Sequence, residues 1–179
     1  MEILRREGVA FESIESPADD PAHPPEGDPV AVSGDLARAK VRSVRQAHGD
    51  RLAQAFVIGA DTICTLDGRS IGKPETQDQA RDMLQAMAGR AHDVVTSVVV
   101  SHQGQERTAS DVARVTLPSV EAMALPVYLA SGAWRGKAGA YDIEERRRGG
   151  WSIGCQGDPD TVSGLPWRLV KRLIEEVAC

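Results

Sequence analysis

The run VIGADTICTLDGRSIGKP at residues 57–74 constrains the fold more than any other segment of the chain. Residues 55–61 are apolar up to the last position and predict a buried strand. Asp67-Gly68 then predicts a hairpin turn, because glycine accepts the left-handed backbone that such turns require. The run therefore predicts a strand that reverses direction and returns alongside itself.

Three polar side chains in this run indicate chemistry. Asp61 ends the predicted strand, Thr62 places a hydroxyl beside it, and Lys73 lies on the returning segment. A carboxylate facing an ammonium across a cleft suits a metal-bound phosphate, because the carboxylate holds a divalent cation or a water while the ammonium neutralises phosphate charge. The alternative is a surface hairpin with scattered charges, since Asp-Gly turns and Gly-Lys-Pro triplets are common.

The composition is that of an ordinary globular chain. Its 179 residues are 41% hydrophobic and 26% charged, which fits one medium domain or a compact two-lobed one. A net charge of −5 argues against broad binding to nucleic acids or anionic membranes. Cys64, Cys155 and Cys179 are widely spaced, which favours neither a disulfide framework nor a zinc site and fits a reducing cytoplasm. No segment reaches the roughly 18 apolar residues that span a bilayer, so we expect a cytoplasmic protein.

The N-terminal part predicts a loop followed by a helix. Residues 15–34 contain five prolines and a cluster of acids, which predict an extended loop. Ser33 is predicted to cap a helix over residues 36–47. The apolar residues at helical spacing on its inner side are Leu36, Ala37, Val41 and Val44.

The remainder alternates helices with strands. Thr76 and Gln79 predict a capping box that opens a second helix. Residues 92–100 and 109–118 predict an antiparallel strand pair joined by a polar connection, and the last helix is predicted to open at Pro166. This order predicts an α/β or α+β protein built around a mixed sheet.

Five short segments combine in an order that resembles one protein family. They are LARAK at 36–40, GADT at 59–62, IGKP at 71–74, GKAGAYDIE at 136–144 and GDPDTVSGLP at 157–166. Each is weak evidence alone. Together with an H-x-V-x-T motif after GKP, their order and spacing resemble the Maf family (septum formation inhibitor Maf, nucleoside triphosphate pyrophosphatases) over nearly the whole chain.

The resemblance implies an α/β fold similar to that of inosine-triphosphate pyrophosphatases, with a mixed twisted sheet and two lobes around a central cleft. It also implies hydrolysis of a nucleoside triphosphate to the monophosphate and pyrophosphate, dependent on a divalent metal, Mg²⁺ or Mn²⁺. The biological role would be removal of non-standard nucleotides, and the expected assembly is a homodimer.

The resemblance assigns roles to five residues. Asp61 corresponds to the general base that activates the attacking water and also to a metal ligand. Lys40, Lys73 and Lys137 correspond to phosphate-binding lysines, and Thr62 to a position tied to base selection. The chemistry agrees, because water attack on a polyphosphate needs a base and cations that hold the developing negative charge.

A second metal ligand is implied at Asp20, which closes the PADD segment. The family usually has Asp-Glu at this place, and a shorter acid there can still bind a metal through water. A solvated loop carboxylate is the alternative.

The N-terminus departs from the family pattern. Maf proteins begin with a strand that ends in S-x-S-P-R-R, a loop that grips phosphates, whereas MEILRREGVAF matches the helix and turn that follow it. Arg5 and Arg6 align inside that helix and are not equivalents of the loop arginines. We therefore expect residues 1–179 to form a single Maf-like domain that lacks this strand and loop, either through a start codon assigned too late or as a truncated relative.

The specificity segment departs as well. The family commonly has Y-G-I-Q-G where this chain has YDIEE at residues 141–145, which puts Glu144 at the glutamine position. An ionised glutamate only accepts hydrogen bonds, so a base that presents donors is expected there rather than thymine or uracil oxygens. The alternative to an enzyme is a catalytically weak or inactive nucleotide-binding regulator linked to cell division.

Overall fold

The computed structural model describes residues 2–18, 21 and 23–178. Its helices are α1 (Glu2–Arg6), α2 (Pro29–His48), α3 (Gln77–Met87), α4 (Leu125–Ser131), α5 (Ile143–Arg148), α6 (Pro159–Val162) and α7 (Trp167–Ala178). Its strands are β1 (Val57–Leu66), β2 (Arg69–Ile71), β3 (Ala91–His102), β4 (Gln105–Thr116) and β5 (Gly154–Gln156). Single turns of 3-10 helix lie at Gly49–Leu52 and Ala138–Ala140.

The five strands form one sheet in the order β2-β1-β3-β4-β5, and each neighbouring pair is antiparallel. Helices pack against it, so the predicted α/β class is confirmed. In the described ranges, parallel pairing is confined to one isolated bridge between Ala88 and Leu117. The parallel component expected of a mixed sheet is therefore very small.

The β1–β2 hairpin forms at the predicted turn. Asp67 and Gly68 both have positive φ angles, 52° and 76°, which is the backbone of a two-residue hairpin turn. The strand is longer than predicted, because β1 continues to Leu66 and Asp61 lies inside it rather than at its end. Within the described chain β2 pairs with residues 64–66 of β1 alone, so residues 57–63 have β3 on one side and an open edge on the other.

The connection between β3 and β4 is much shorter than the predicted polar segment. The strands run through most of that segment and pair as far as His102 opposite Gln105. The turn is the two residues Gln103-Gly104, with φ angles of 46° and 82°. Polar residues continue the strands here because one face of a long hairpin can remain exposed to water.

Helix α2 begins earlier than predicted. Asp28 caps it by accepting a hydrogen bond from the Ala31 N–H at 3.0 Å, and Pro29 occupies the first turn, where its missing N–H costs nothing. Ser33 is therefore not the cap. It is buried inside the helix, with its Oγ 2.6 Å from Ser97 Oγ on β3.

Three locally encoded features are confirmed. Thr76 Oγ1 accepts the Gln79 N–H at 3.2 Å at the start of α3, and Gln79 Oε1 accepts the Glu75 N–H at 2.7 Å. Helix α7 follows Pro166 directly. The inward residues Ala37, Val41 and Val44 of α2 are buried, and Leu36 is half-buried.

Two apolar clusters at opposite ends of β3 divide the molecule into lobes. Val94 belongs to a large cluster beneath α3, α4 and α5, whereas Val98 and Val100 pack against α7. Val99 points to the other face and packs on α2. The predicted two lobes with a cleft between them therefore share one continuous strand.

The contact between α2 and β1 is unusually close at Gly59. A Cβ atom at this position would lie 2.6 Å from Val41 Cγ2 and 3.1 Å from the Ala37 carbonyl oxygen. A residue without a side chain is therefore required for the helix to pack at this distance.

Cys64 and Cys155 are free thiols, and Cys179 lies outside the described residues. In the part of the chain that the structure describes, no helix is long and apolar enough to cross a membrane.

We predict opposite effects for two glycine-to-alanine substitutions, one at this helix–strand contact and one elsewhere in α2. Gly59→Ala should lower the free energy of unfolding by about 1–3 kcal/mol, because the new methyl group overlaps α2. Gly34→Ala is the matched control: its Cβ would meet no atom closer than 3.9 Å, so it should raise stability by up to about 1 kcal/mol through helix propensity. Urea unfolding measures both, and equal effects would contradict the proposed overlap.

Candidate active site

A cavity of about 290 Å³ lies between the lobes at the open edge of β1. Its walls come from α2, the middle of β1, the segment after β2, residues 136–142 and residues 162–164. The predicted site residues on these walls are Lys40, Asp61, Thr62, Lys73 and Lys137. Five residues that are separated by up to 97 positions in sequence thus share one cavity.

Asp61 and Lys40 form a close pair at the base of this cavity. Lys40 Nζ donates to Asp61 Oδ1 at 2.7 Å, and the aspartate side chain is only 8% exposed. The pair forms because Gly59 allows α2 to approach β1 two residues before Asp61. The carboxylate is therefore held in a fixed orientation at the cavity wall.

A backbone contact brings the KAGAY segment to the GKP segment. The Gly139 N–H donates to the Gly72 carbonyl at 3.1 Å, which places Lys73 and Lys137 on the same cavity. Gly139 has a φ of 66°, and a Cβ there would lie 3.2 Å from Cys64 Sγ. Burial raises the pKa of the Cys64 thiol to about 12, so this cavity residue is neutral at pH 7.

Lys137 has an acidic partner that the sequence analysis did not identify. Its Nζ donates to Glu145 Oε2, and Arg146 donates to the other oxygen of Glu145 at 2.7 Å. These contacts, the Lys137 hydrogen bond above all, lower the pKa of Glu145. The signal was the three acids in YDIEE: Asp142 caps α5, and the second glutamate, not the first, turns toward the lysine.

The structure does not bring Glu144 to the cavity of Asp61. Glu144 is exposed, and its carboxylate lies 3.8 Å from Arg147. It borders a neighbouring cleft of about 860 Å³ beside α1, α6 and α7, which shares Asp142 and Ser163 with the Asp61 cavity. Successive residues of a helix point about 100° apart, so a one-residue difference in α5 turns Glu144 away from Lys137. The predicted role of Glu144 in base choice stays a prediction, for a residue beside the Asp61 cavity rather than on its walls.

Thr62 and Asp61 point to opposite faces of β1, as successive strand residues do. Asp61 faces α2, whereas Thr62 faces α6, with its Oγ1 2.8 Å from Thr96 Oγ1 on β3. Both reach the same cavity because β1 has no neighbouring strand at this edge in the described residues. The open edge thus gives one ligand access to both faces.

A buried histidine supports the cavity wall at Tyr141. His92 Nε2 lies 2.7 Å from the Tyr141 hydroxyl, and the two rings meet edge to face. Burial lowers the pKa of His92 to about 4, so the imidazole is neutral at pH 7. The sequence offered the H-x-V-x-T motif as a signal, but not the tyrosine that the histidine would meet.

The candidate metal ligands are described only in part. Asp20 lies outside the described residues. Among the residues that are described, no group of three or more His, Cys, Asp or Glu side chains converges as a metal site. Asp61 is the predicted metal ligand that the structure places at the cavity.

The chain matches a family model described as Maf-like protein over residues 1–177. It is 31% identical over 176 residues to the nucleoside triphosphate pyrophosphatase of Chlamydia pneumoniae, covering 98% of this chain and 87% of that protein. It is 36% identical over 174 residues to a dTTP/UTP pyrophosphatase of Salinibacter ruber, covering 96% and 83%. A dTTP/UTP pyrophosphatase of Chromobacterium violaceum is 35% identical over 176 residues, covering 98% and 88%.

We predict that the buried His92 makes the free energy of unfolding fall as the pH is lowered. Between the folded-state pKa of about 4 and the ordinary value of 6.5, the unfolded chain binds more protons than the folded one. The free energy of unfolding should therefore fall by up to about 3 kcal/mol from pH 7 to pH 4 through this residue. Urea unfolding across this range should show a weaker pH dependence in His92→Gln.

His23→Gln is the control for this measurement, because His23 is exposed and its loss does not affect the core. If His92→Gln and His23→Gln change the pH profile equally, the buried imidazole is not the origin of the dependence.

Proposed function

The chain belongs to the Maf-like protein family, and we therefore propose that it hydrolyses a nucleoside triphosphate to the nucleoside monophosphate and pyrophosphate. The observation that carries the proposal is the nearly buried Asp61 carboxylate on the wall of a cavity that Lys40, Lys73 and Lys137 also line. Relatives named for this reaction support it. The enzyme would be a hydrolase acting on an acid anhydride bond.

Asp61 is the proposed general base. Its carboxylate combines burial, a fixed orientation and a position at the open edge of β1. Hydrolysis requires that the attacking water lose a proton as its oxygen bonds to phosphorus, and a carboxylate within hydrogen-bond distance can accept that proton. Lys40 orients the carboxylate through Oδ1 and adds a positive charge beside it.

The lysines are the proposed phosphate ligands. A triphosphate carries several negative charges, and cations fixed in a cleft stabilise the charge that develops on the phosphoryl oxygens. Lys137 enters this set already paired with Glu145. A phosphate that binds Lys137 must therefore compete with the Glu145 carboxylate for its ammonium group.

A divalent metal, Mg²⁺ or Mn²⁺, is part of the proposal. Asp61 offers the hard oxygen donor that such ions prefer, and Mg²⁺ is commonly held by one or two carboxylates together with phosphate oxygens. Asp20 is the second proposed ligand. When bound, the ion would supply Lewis-acid stabilisation of the phosphate charge.

We propose dTTP and UTP as the candidate substrates to assay first. Two of the relatives above are named for these nucleotides. Glu144, the acid expected to disfavour thymine and uracil, borders the neighbouring cleft and is not on the walls of the Asp61 cavity. The walls of the Asp61 cavity therefore leave these bases as candidates.

We predict that Asp61→Asn lowers kcat by about 100- to 10,000-fold, because an amide cannot accept the proton of the attacking water. Pyrophosphate release from a panel of nucleoside triphosphates measures the loss. Asp67→Asn is the matched control: it removes an acid from the same hairpin, but one that is 70% exposed and paired with Arg90 outside the cavity. It should keep activity within about twofold.

Retention of full activity in Asp61→Asn would refute the assigned base. Absence of pyrophosphate release by the wild-type chain with every nucleotide, together with measurable nucleotide binding, would favour the nucleotide-binding regulator instead.

We predict that chelation of divalent ions by EDTA reduces pyrophosphate release to background, because the lysines alone then face the phosphate charge. Added Mg²⁺ or Mn²⁺ should restore the activity by supplying Lewis-acid stabilisation of that charge. The assay is repeated with excess Ca²⁺, whose looser coordination should restore less activity. Full activity in EDTA would remove the metal from the proposal.

A further inference from the structure

A row of polar side chains crosses three strands on the face that α6 covers. Thr62 on β1 lies opposite Thr96 on β3, which in turn lies opposite Asp111 on β4. Thr161 of α6 lies over this row, where its Oγ1 donates to Asp111 Oδ2 and its carbonyl receives a hydrogen bond from Thr96. Thr96 and Thr161 are completely buried, so water does not compete for these contacts.

The direction of each proton in this row follows from the chemistry of the groups. Thr96 Oγ1 lies 2.6 Å from the Thr161 carbonyl oxygen, and a carbonyl can only accept, so Thr96 is the donor. A threonine hydroxyl has a single proton. In the 2.8 Å contact between the two hydroxyls, Thr96 must therefore accept, and Thr62 must donate.

The Thr161 carbonyl also holds this arrangement from the other side. It accepts the Gly164 N–H at 3.1 Å and the Ser163 N–H in addition to the Thr96 hydroxyl, so three donors converge on this one carbonyl. At 2.6 Å two oxygen atoms repel one another unless a proton lies between them, so rotation of the Thr96 proton away from this carbonyl is unfavourable.

Thr62 therefore has only lone pairs left to offer a ligand, and it is a half-buried residue of the cavity wall. Gly164 lies on this wall, and a Cβ atom there would lie 3.2 Å from Thr62 Oγ1. Because Gly164 has no side chain and a φ of 87°, the oxygen is not covered from this direction.

We propose that Thr96 is a positioning residue that makes Thr62 an obligate hydrogen-bond acceptor, so that the substrate must present a hydrogen-bond donor at this point of the cavity. The inference rests on the proposed function for its substrate class, a nucleoside triphosphate. A nucleoside offers two kinds of donor, a nucleobase N–H and a sugar hydroxyl. A site built to pair with a donor rejects an analogue that lacks it, because a buried polar group is then left unpaired.

The test measures discrimination, which is the ratio of kcat/KM for UTP to that for an analogue lacking one donor. N3-methyl-UTP lacks the ring N–H of the base, whereas 2′-deoxy-UTP and 3′-deoxy-UTP each lack one sugar hydroxyl. The proteins are the wild type, Thr62→Val, Thr96→Val and the matched control Thr96→Ser, which keeps the hydroxyl and its proton.

We expect the wild type and Thr96→Ser to discriminate against one analogue by about tenfold or more. The identity of that analogue shows whether the donor belongs to the base or to the sugar. Thr62→Val should lose this discrimination. Thr96→Val should lose most of it while keeping the Thr62 hydroxyl, because the freed proton can turn toward the cavity. Steric effects of a methyl group cancel, since the ratio is compared between proteins.

Unchanged discrimination in a folded Thr96→Val would overturn the inference, as would a wild type that discriminates against none of the analogues. Where circular dichroism shows Thr96→Val to be unfolded, unchanged discrimination in Thr62→Val overturns it instead. Failure of the proposed function appears separately, as no pyrophosphate release from any nucleotide by the wild type. The same ratios are then taken from dissociation constants measured by calorimetry.

Discussion

The close contact between α2 and β1 is the constraint on which the candidate site depends. Backbone and side-chain atoms of the helix come so near to Gly59 that no larger residue fits without movement of one element. That distance sets Lys40 within hydrogen-bond reach of Asp61. A wider separation would weaken this ion pair, and a nearly buried carboxylate depends on such contacts for its charge. Packing and chemistry are thus coupled at one glycine.

The geometry of the sheet distributes the remaining groups. Side chains alternate between faces along β1, so the carboxylate of Asp61 and the hydroxyl of Thr62 belong to different layers of the molecule. In the described chain they meet at one cavity because β2 is too short to cover the middle of β1. One face supplies an ion pair, and the other supplies a buried row of hydroxyl groups. The cavity at the edge therefore combines charge with directional hydrogen bonding.

Local signals predicted some elements well and others poorly. The start of α3 follows from Thr76 and Gln79, whose hydrogen bonds lie within one turn, and α7 follows from the proline before it. The start of α2 was missed because the clustered prolines around residues 15–34 conceal the Asp28-Pro29 capping pair. The β3–β4 hairpin was predicted too short at its turn, because polar residues on an exposed face carry little strand signal. Their backbone nevertheless pairs fully.

The sequence by itself determined the residue types of the site, the hairpin around Asp61 and the family, because motif order and turn chemistry are local properties of the chain. Tertiary structure decided which groups meet. It paired Lys137 with Glu145 rather than bringing in Glu144, since one step along a helix changes direction by about 100°. It also fixed the proton of Thr62 through Thr96, because a buried carbonyl from a distant helix accepts the neighbouring hydroxyl. Such contacts join residues far apart in sequence, and no local pattern specifies them.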